Sequence, residues 1–208
     1  MRLEEERMVW SSRARQEASG NHLLVLLHGA GGVPDDLTPC FEVLPPGISA
    51  VSLGGPIAAE GRWAWAHLDE PDPDGLRDSA RAVSSWLDSL RGFSSVGLLG
   101  FSQGAAVVIE MLRHCPQRVV YAVVLSGLLP SEVDDRDGEV ARHSPPVFMG
   151  TGNLDDVIPP EETRALRAWL RRHTAVTEHR YPTLGHGMSS DEIRDAISFA
   201  ERHLGSSQ

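Results

Sequence analysis

Two hydrophobic patterns alternate along this chain. Short segments, most of them continuously apolar, predict strands at His22–Leu27, Ile48–Leu53, Val96–Leu99, Val119–Leu125, Pro146–Met149 and Val176–Tyr181. Apolar residues at helical spacing predict helices at Asp74–Arg91, Ala105–His114, Glu161–Arg172 and Asp191–Leu204, the last with Ser189 or Ser190 as its N-cap. The Pro-, Gly- and Asp-rich segments Glu60–Gly75 and Leu129–Ser144 are predicted to be loops. Strands that alternate with helices are typical of a mostly parallel sheet covered on both faces, so we predict an α/β fold in one domain over residues 1–208.

A tight turn is predicted where the strand Val96–Leu99 meets the next helix. Residues Gly100–Gly104 have the sequence Gly-Phe-Ser-Gln-Gly, and G-x-S-x-G at a strand-to-helix junction is the pattern of a nucleophile elbow. Such a turn lifts the Ser102 hydroxyl clear of the sheet and places it at the positive end of the helix. On this pentapeptide alone, an ordinary turn with serine as the N-cap remains the alternative.

A glycine-rich segment, His28–Gly32, follows the first predicted strand. A phosphate-binding loop is one interpretation, but the segment lacks the endings and spacings of the known nucleotide-binding motifs. The better interpretation is one half of an oxyanion hole, in which backbone N–H groups stabilise negative charge on a former carbonyl oxygen. The two donors are then expected to be the amides of Ala30 and Gln103.

Candidate acid and base residues follow two later strands. Asp155 lies in the loop after Pro146–Met149, where an Asp-Asp pair is equally typical of turn chemistry. His186 is one of nine histidines, and it lies between two glycines in the loop after Val176–Tyr181. The order serine, aspartate, histidine along the chain is that of an α/β-hydrolase, so we predict a triad of Ser102, Asp155 and His186.

The composition excludes several other classes of protein. With 41% hydrophobic and 23% charged residues, the chain is typical of a soluble globular protein. The formal net charge of −10 argues against nucleic-acid binding and against attraction to an anionic membrane surface. The charged segment Met1–Arg7 lacks the apolar part of a secretory signal, and no run reaches the roughly 20 apolar residues of a membrane span. We therefore expect no nucleic-acid partner and no stable membrane insertion.

Cysteine and histidine usage leads to two further expectations. The two cysteines, Cys40 and Cys115, are expected to be free thiols in a reducing compartment, so we predict a cytoplasmic protein. The sequence contains neither H-E-x-x-H nor the Cys/His spacing of a zinc site, so we predict no metal site.

Taken together, these motifs resemble those of the phospholipase/carboxylesterase family, which includes acyl-protein thioesterases and small bacterial carboxylesterases. The resemblance covers the chain from about His22 to the C-terminal helix. The matching segments are the loop His28–Gly32, the elbow Gly100–Gly104, the acid segment Asp155–Pro159 and Gly185–Gly187. This resemblance implies a three-layer α/β-hydrolase with no large cap domain and no cofactor, acting on small carboxylic esters or thioesters.

The resemblance assigns the nucleophile to Ser102, the acid to Asp155, the base to His186 and the oxyanion donors to Ala30 and Gln103. The chain also departs from the family pattern. Ala30 takes the place of a usual leucine, which would widen the pocket, and Asp156 takes the place of a usual proline. The second departure leaves Asp156 open as the triad acid.

The substrate pocket is the least defined part of the site. The chain is short between Leu53 and Leu76, where family members form part of the acyl-binding wall, and here that wall would come from Trp63, Trp65 and Leu68. Ordinary core packing of the tryptophans is the alternative. His28, Gly29 and Met188 complete the predicted pocket.

Three functions follow from these residues. The leading hypothesis is a serine hydrolase of short- to medium-chain acyl esters that works through an acyl-enzyme. The first alternative is an acyl-protein thioesterase or lysophospholipase, which needs a long apolar groove. The second is a non-catalytic ligand-binding protein on a hydrolase fold. The oligomeric state, including a homodimer, stays open.

Overall fold

The protein has two β-sheets in the structure, a computed structural model that describes residues 1–11, 21–67 and 74–204. The strands of the main sheet are β1 (Met8–Trp10), β2 (Asn21–Leu27), β3 (Ile48–Leu53), β6 (Phe93–Phe101), β7 (Val119–Leu125), β8 (Pro146–Gly152) and β9 (Ala175–Tyr181). A separate antiparallel hairpin consists of β4 (Ile57–Ala59) and β5 (Arg62–Ala64). The described strands of the main sheet have the order β1-β3-β2-β6-β7-β8-β9, and of their pairs only β1–β3 is antiparallel.

Helices cover both faces of the main sheet. The α-helices are α1 (Gly75–Ser89), α2 (Gln103–His114), α3 (Asp137–His143), α4 (Pro160–His173) and α5 (Ser190–Arg202), and 3₁₀ segments lie at Glu5–Arg7, Pro34–Val43 and Pro116–Arg118. One apolar cluster packs the four helices α1, α2, α3 and α4 against one face of the sheet. A second cluster packs α5 and the 3₁₀ segment Pro34–Val43 against the other face. The predicted α/β fold, with a mostly parallel sheet between two helical layers, is confirmed.

Strand β2, inside the sheet, shows why a continuous apolar run predicts a strand in this protein. Leu23, Val25 and Leu27 belong to one cluster, while Leu24 and Leu26 belong to the other, and all five are completely buried. Because side chains alternate between the faces of a strand, burial on both faces requires apolar residues at every position.

Some predicted loops contain regular structure. Helix α3 lies inside the segment Leu129–Ser144, so the prediction of a loop there was wrong for those seven residues. The helix is short, and Val140 is its only buried apolar residue, so helical periodicity could not mark it. Strand β5 likewise lies inside the segment predicted as the loop Glu60–Gly75.

A serine–histidine pair that is separate from the predicted triad lies at the amino ends of the strands. His22 Nδ1 lies 2.6 Å from Ser95 Oγ, and its Nε2 lies 3.0 Å from the Tyr121 hydroxyl. Burial lowers the pKa of His22 to about 4, which keeps the ring neutral at neutral pH. This group satisfies buried polar atoms at the edge opposite to the one where parallel sheets form their sites.

Helices α2 and α3 are joined through a buried arginine. The Arg113 side chain has no exposed surface, and its guanidinium donates to Glu110 at 2.9 Å and to Asp137 at 2.8 Å. It also donates to the backbone oxygen of Ser131 at 2.9 Å. The two carboxylates are themselves largely buried. Asp137 depends on this arginine for its counter-charge, while Glu110 also pairs with Arg136 at 2.8 Å.

We expect Arg113→Met to lower the free energy of unfolding by about 3–5 kcal/mol, because it leaves the largely buried carboxylate of Asp137 unpaired and removes one of the arginines that pair with Glu110. Urea unfolding at neutral pH measures the change. Arg142→Met, at an exposed arginine of α3, is the matched control and should shift the midpoint little. A loss below about 1 kcal/mol in Arg113→Met would contradict the inferred dependence.

Candidate active site

Ser102 lies between β6 and α2 in a strained conformation. Its φ and ψ angles are 54° and −118°, a backbone region that costs a residue with a side chain about 1–3 kcal/mol. The Ser102 N–H donates to the backbone oxygen of Leu125 at 2.9 Å, and its own backbone oxygen accepts from Ala105 at 3.0 Å. These bonds hold the serine in the conformation expected of a nucleophile elbow.

The glycines on either side of this turn are required by close backbone contacts. A Cβ atom at Gly100 would lie 2.3 Å from the backbone oxygen of Gly104, and one at Gly104 would lie 2.1 Å from the backbone oxygen of Leu27. Any side chain at these positions would therefore separate β2, β6 and the start of α2.

The structure brings the three predicted triad residues together. His186 Nε2 lies 3.0 Å from Ser102 Oγ, and His186 Nδ1 lies 2.9 Å from Asp155 Oδ2. Since an ionised carboxylate can only accept, Nδ1 carries the proton and Nε2 is left to accept from the serine hydroxyl. The Phe101 ring packs against the imidazole at a centroid distance of 5.0 Å, which restricts its orientation.

Of the two adjacent acids, Asp155 is the one that faces His186. Its Oδ1 atom accepts the backbone N–H groups of Val157 and Ile158, each at 3.0 Å. Burial raises the pKa of Asp155, but these bonds and the one from His186 outweigh it and hold the pKa below its usual value. Asp156 is exposed.

The glycine-rich loop lies directly beside the serine. A Cβ atom at Gly29 would lie 3.2 Å from Ser102 Cβ and 3.1 Å from the Phe101 ring, while Ala30, the next residue, is half-buried. Gln103 is the first residue of α2, so its N–H group has no partner one turn earlier in the helix. The two predicted oxyanion donors therefore belong to segments that meet at Ser102.

The placement of His28 and Trp65 corrects their predicted role as pocket residues. Neither has exposed surface, so a substrate arriving from solvent cannot contact them. His28 Nε2 accepts the Gly55 N–H at 3.1 Å, its Nδ1 donates to the Gly29 oxygen at 2.6 Å, and Trp65 Nε1 donates to the His28 oxygen at 2.8 Å. Both side chains satisfy buried polar groups under the glycine-rich loop, and burial lowers the pKa of His28.

The remaining predicted pocket residues differ in position. Trp63 is half-buried under the guanidinium of Arg7, whose Cζ lies 3.6 Å from the ring centroid. Met188 is half-buried against the cluster on the α5 face of the sheet. Leu68 lies outside the described residues, so its predicted role stays a prediction.

The side chain of Gln103 has a structural function that the sequence did not indicate. Its Oε1 atom accepts the backbone N–H of Trp65 at 2.8 Å, and its Nε2 donates to the Ala66 oxygen at 2.9 Å. This residue therefore ties the elbow to the segment that follows the β4–β5 hairpin.

Glu192 is a buried carboxyl group beside β8, and the sequence did not indicate its burial. It has no exposed surface, and among the described residues its two oxygens have no hydrogen-bond partner. A Cβ atom at Gly150, in β8, would lie 2.4 Å from Glu192 Oε1. Burial, followed by the nearby charge of Asp195, raises the pKa of Glu192 from its ordinary 4.5 to about 7.

In the part of the chain that the structure describes, no group of three or more His, Cys, Asp or Glu side chains is arranged to hold a metal ion. Within the same residues, none of the helices combines the length and the apolar sequence that crossing a membrane requires.

A strained serine at the carboxyl edge of a parallel sheet, facing a histidine and an acid from later loops, defines an α/β-hydrolase. A family model described as Phospholipase/Carboxylesterase matches residues 12–204. The chain belongs to this family, so the predicted family and its hydrolase class are confirmed.

Curated relatives of the chain carry related names. Acyl-protein thioesterase 1 of Kluyveromyces lactis is 25% identical over 67% of this chain, which spans 66% of that protein. A Bacillus subtilis protein named MhqD is 25% identical over 87% of this chain and 93% of its own length. Carboxylesterase SOBER1 of Arabidopsis thaliana is 28% identical over 53% of this chain and 49% of its own length.

Solved structures share the fold. Acyl-protein thioesterase 2 of Zea mays superposes with a TM-score of 0.71 at 24% identity, covering 90% of this chain and 95% of that one. A carboxylesterase from Mesorhizobium loti gives a TM-score of 0.75 at 20% identity, covering 89% and 92%.

We expect the contribution of Glu192 to the stability of the native protein to fall as the pH rises from about 5 to 8, because Glu192 titrates there. Its folded pKa lies above its unfolded value, so its contribution is complete below pH 4.5 and is lost as the pH passes 7. The loss amounts to about 3 kcal/mol for a shift of this size. Glu192→Gln should therefore gain stability relative to wild type as the pH increases.

Urea unfolding at pH 5 and pH 8 measures this difference. Glu161→Gln, at an exposed acid of α4, is the control and should keep the wild-type pH dependence. If Glu192→Gln and wild type change equally between the two pH values, Glu192 does not titrate as inferred.

Proposed function

We propose that this chain is a serine esterase that cleaves short- to medium-chain acyl esters. The observation that carries the proposal is the unbroken hydrogen-bonded series from Ser102 Oγ through His186 to Asp155. Each member has the partner that its chemical role requires: a base on the nucleophile and an acid on the base.

In the first half of the reaction, His186 Nε2 accepts the Ser102 proton as the serine oxygen attacks the acyl carbon. The carbonyl π electrons move onto oxygen, and Asp155 stabilises the imidazolium that forms. The backbone N–H groups of Ala30 and Gln103 donate to the oxyanion. Both groups belong to the backbone of segments that meet at Ser102, so we expect them to need little rearrangement when the charge develops.

The second half releases both products. Collapse of the tetrahedral intermediate breaks the bond to the alcohol, which takes the proton from His186 and leaves an acyl-enzyme on Ser102. His186 then removes a proton from water, and the resulting attack releases the carboxylic acid and restores the serine. Every proton that is moved passes through Nε2, the nitrogen that the Asp155 bond leaves free.

The proposed chain length follows from the buried position of Trp65. This tryptophan was one of the side chains expected to form the wall of a long acyl groove, but its indole lies in the interior. Phe101, Met188 and Gly29 are half-buried near the reacting groups and would contact only the first part of an acyl chain. Substrates with short or medium acyl chains therefore fit this site best.

We expect Ser102→Ala to abolish turnover of p-nitrophenyl butyrate, and Asp155→Asn to lower kcat by about 10⁴-fold through loss of the correct imidazole tautomer. Asp156→Asn makes the same change at the exposed neighbour and should keep nearly full activity. Initial rates of the purified variants measure these effects. Full activity in Ser102→Ala would exclude the proposed mechanism, and a greater loss in Asp156→Asn would reassign the acid.

A thioesterase acting on long acyl chains is the second candidate, favoured by the name of the Kluyveromyces lactis relative. We expect kcat/KM on p-nitrophenyl esters to be highest for acyl chains of about four to eight carbons and to fall for longer chains. The reason is that each CH₂ group of the acyl chain that stays in water adds little to the binding free energy. Activity that rises up to sixteen carbons would favour the thioesterase. If a fluorophosphonate fails to label Ser102 of the wild type, that result would favour the remaining alternative, a ligand-binding protein without catalysis.

We also propose that the protein works in a reducing compartment such as the cytoplasm. Cys40 and Cys115 are free and buried, and they lie in clusters on opposite faces of the sheet. Burial raises the pKa of Cys40 to about 12, which keeps this thiol protonated and unreactive.

A further inference from the structure

A cavity of about 310 Å³ lies between α4 and the carboxyl ends of β8 and β9. Three arginines from two elements line it, Arg164 and Arg167 from α4 and Arg180 from β9. The wall also includes Asp155, so the cavity borders the loop that carries the proposed triad acid. We propose that it binds a small oxyanion, the phosphate or carboxylate group of a ligand.

The charges around the cavity leave an excess of positive charge. Glu178 of β9 accepts from Arg167 at 2.5 Å, from Arg171 at 3.0 Å and from Arg180 at 3.4 Å, so one carboxylate is shared among three guanidinium groups. Burial raises the pKa of Glu178, but these arginines outweigh it and keep the group ionised. Arg164 forms no ion pair with any residue that the structure describes.

This excess stands out in a chain whose formal net charge is −10. Among the described residues, Asp155 is the only acid that lines the cavity, and its carboxylate already accepts two backbone N–H groups and the His186 ring. Its negative charge is therefore partly compensated, and it opposes an incoming anion less than a free carboxylate would.

The helical spacing explains how the arginines converge. Arg164, Arg167 and Arg171 follow one another at intervals of three and four residues, which places them on one face of α4. That face is directed toward β9, as the bonds of Arg167 and Arg171 to Glu178 demonstrate. Arg180 then approaches from the strand.

The lining suits an oxyanion more than other ligands. A guanidinium group presents parallel N–H donors that match the two oxygens of a carboxylate or phosphate. Thr151 and Thr163 also line the cavity, and each has a hydroxyl group that can donate a hydrogen bond. Its volume admits a group of this size together with part of a larger ligand.

A larger cavity of about 510 Å³ elsewhere on the protein provides a contrast. It is also lined by three arginines, Arg77, Arg81 and Arg136. There, Arg136 pairs with Asp134 and with Glu110 at 2.8 Å, and Arg77 lies 3.5 Å from Asp134. Because Arg77 and Arg136 already have carboxylate partners within the protein, that cavity attracts an added anion less strongly.

Direct titration of the full-length protein tests the proposal without relying on esterase activity. Inorganic phosphate and succinate, each titrated at low ionic strength and followed by amide chemical shifts, distinguish the two classes of oxyanion. We expect saturable binding of at least one of them, with the shifts centred on the residues that line the cavity. Binding of neither would overturn the proposal, whatever the esterase assays show.

The variant Arg164→Gln/Arg180→Gln should weaken this binding by about tenfold or more, because it removes two charged donors. Both arginines are exposed, so the fold should be retained, which circular dichroism and thermal unfolding verify. Arg172→Gln makes the same kind of charge change on an exposed position of α4 outside the cavity and should weaken binding less than twofold. Equal weakening by Arg172→Gln would indicate unspecific attraction and overturn the site.

Discussion

The close approach of three backbone segments at the elbow is the constraint on which the rest of the site depends. Leu27 at the end of β2, Gly100 at the end of β6 and Gly104 at the start of α2 leave no room for a side chain on either glycine. This contact places the glycine-rich loop beside Ser102, so the two segments that carry the predicted oxyanion donors are neighbours. A larger residue at either glycine would move the two halves of the site apart, even with the triad intact.

The site is ordered before any substrate arrives. Backbone N–H groups hold the Asp155 carboxylate, and the buried His28 ring holds the glycine-rich loop through Gly29 and Gly55. These bonds lie within the protein, so ordering them is part of folding and does not reduce the affinity for a substrate. The strained backbone of Ser102 is likewise maintained by its contacts with the neighbouring strand.

The features of this structure that depend on residues close together in the sequence could be predicted, and those that depend on distant residues could not. Strands β3 and β7 have the predicted bounds because they are mainly buried, and burial of a parallel strand leaves a continuous apolar run. The meeting of Ser102, Asp155 and His186 could be predicted because each residue follows a strand in a fixed chain order. Strand β1 could not, since its three residues are half-buried and pair only with β3, a partner distant in sequence. Trp65 was placed wrongly because its indole N–H finds its acceptor only in the folded protein.

The glutamine of the elbow motif has a consequence for how such sequences are compared. Its side chain bonds the backbone of residues 65 and 66, so it fastens the hairpin to the elbow and takes no part in the proton transfers. Selection for a stable fold would preserve this residue in a descendant whose serine or histidine had changed. A match at Gln103 therefore reports shared architecture, whereas the three residues of the predicted triad are the positions that would separate a working hydrolase from an inactive copy.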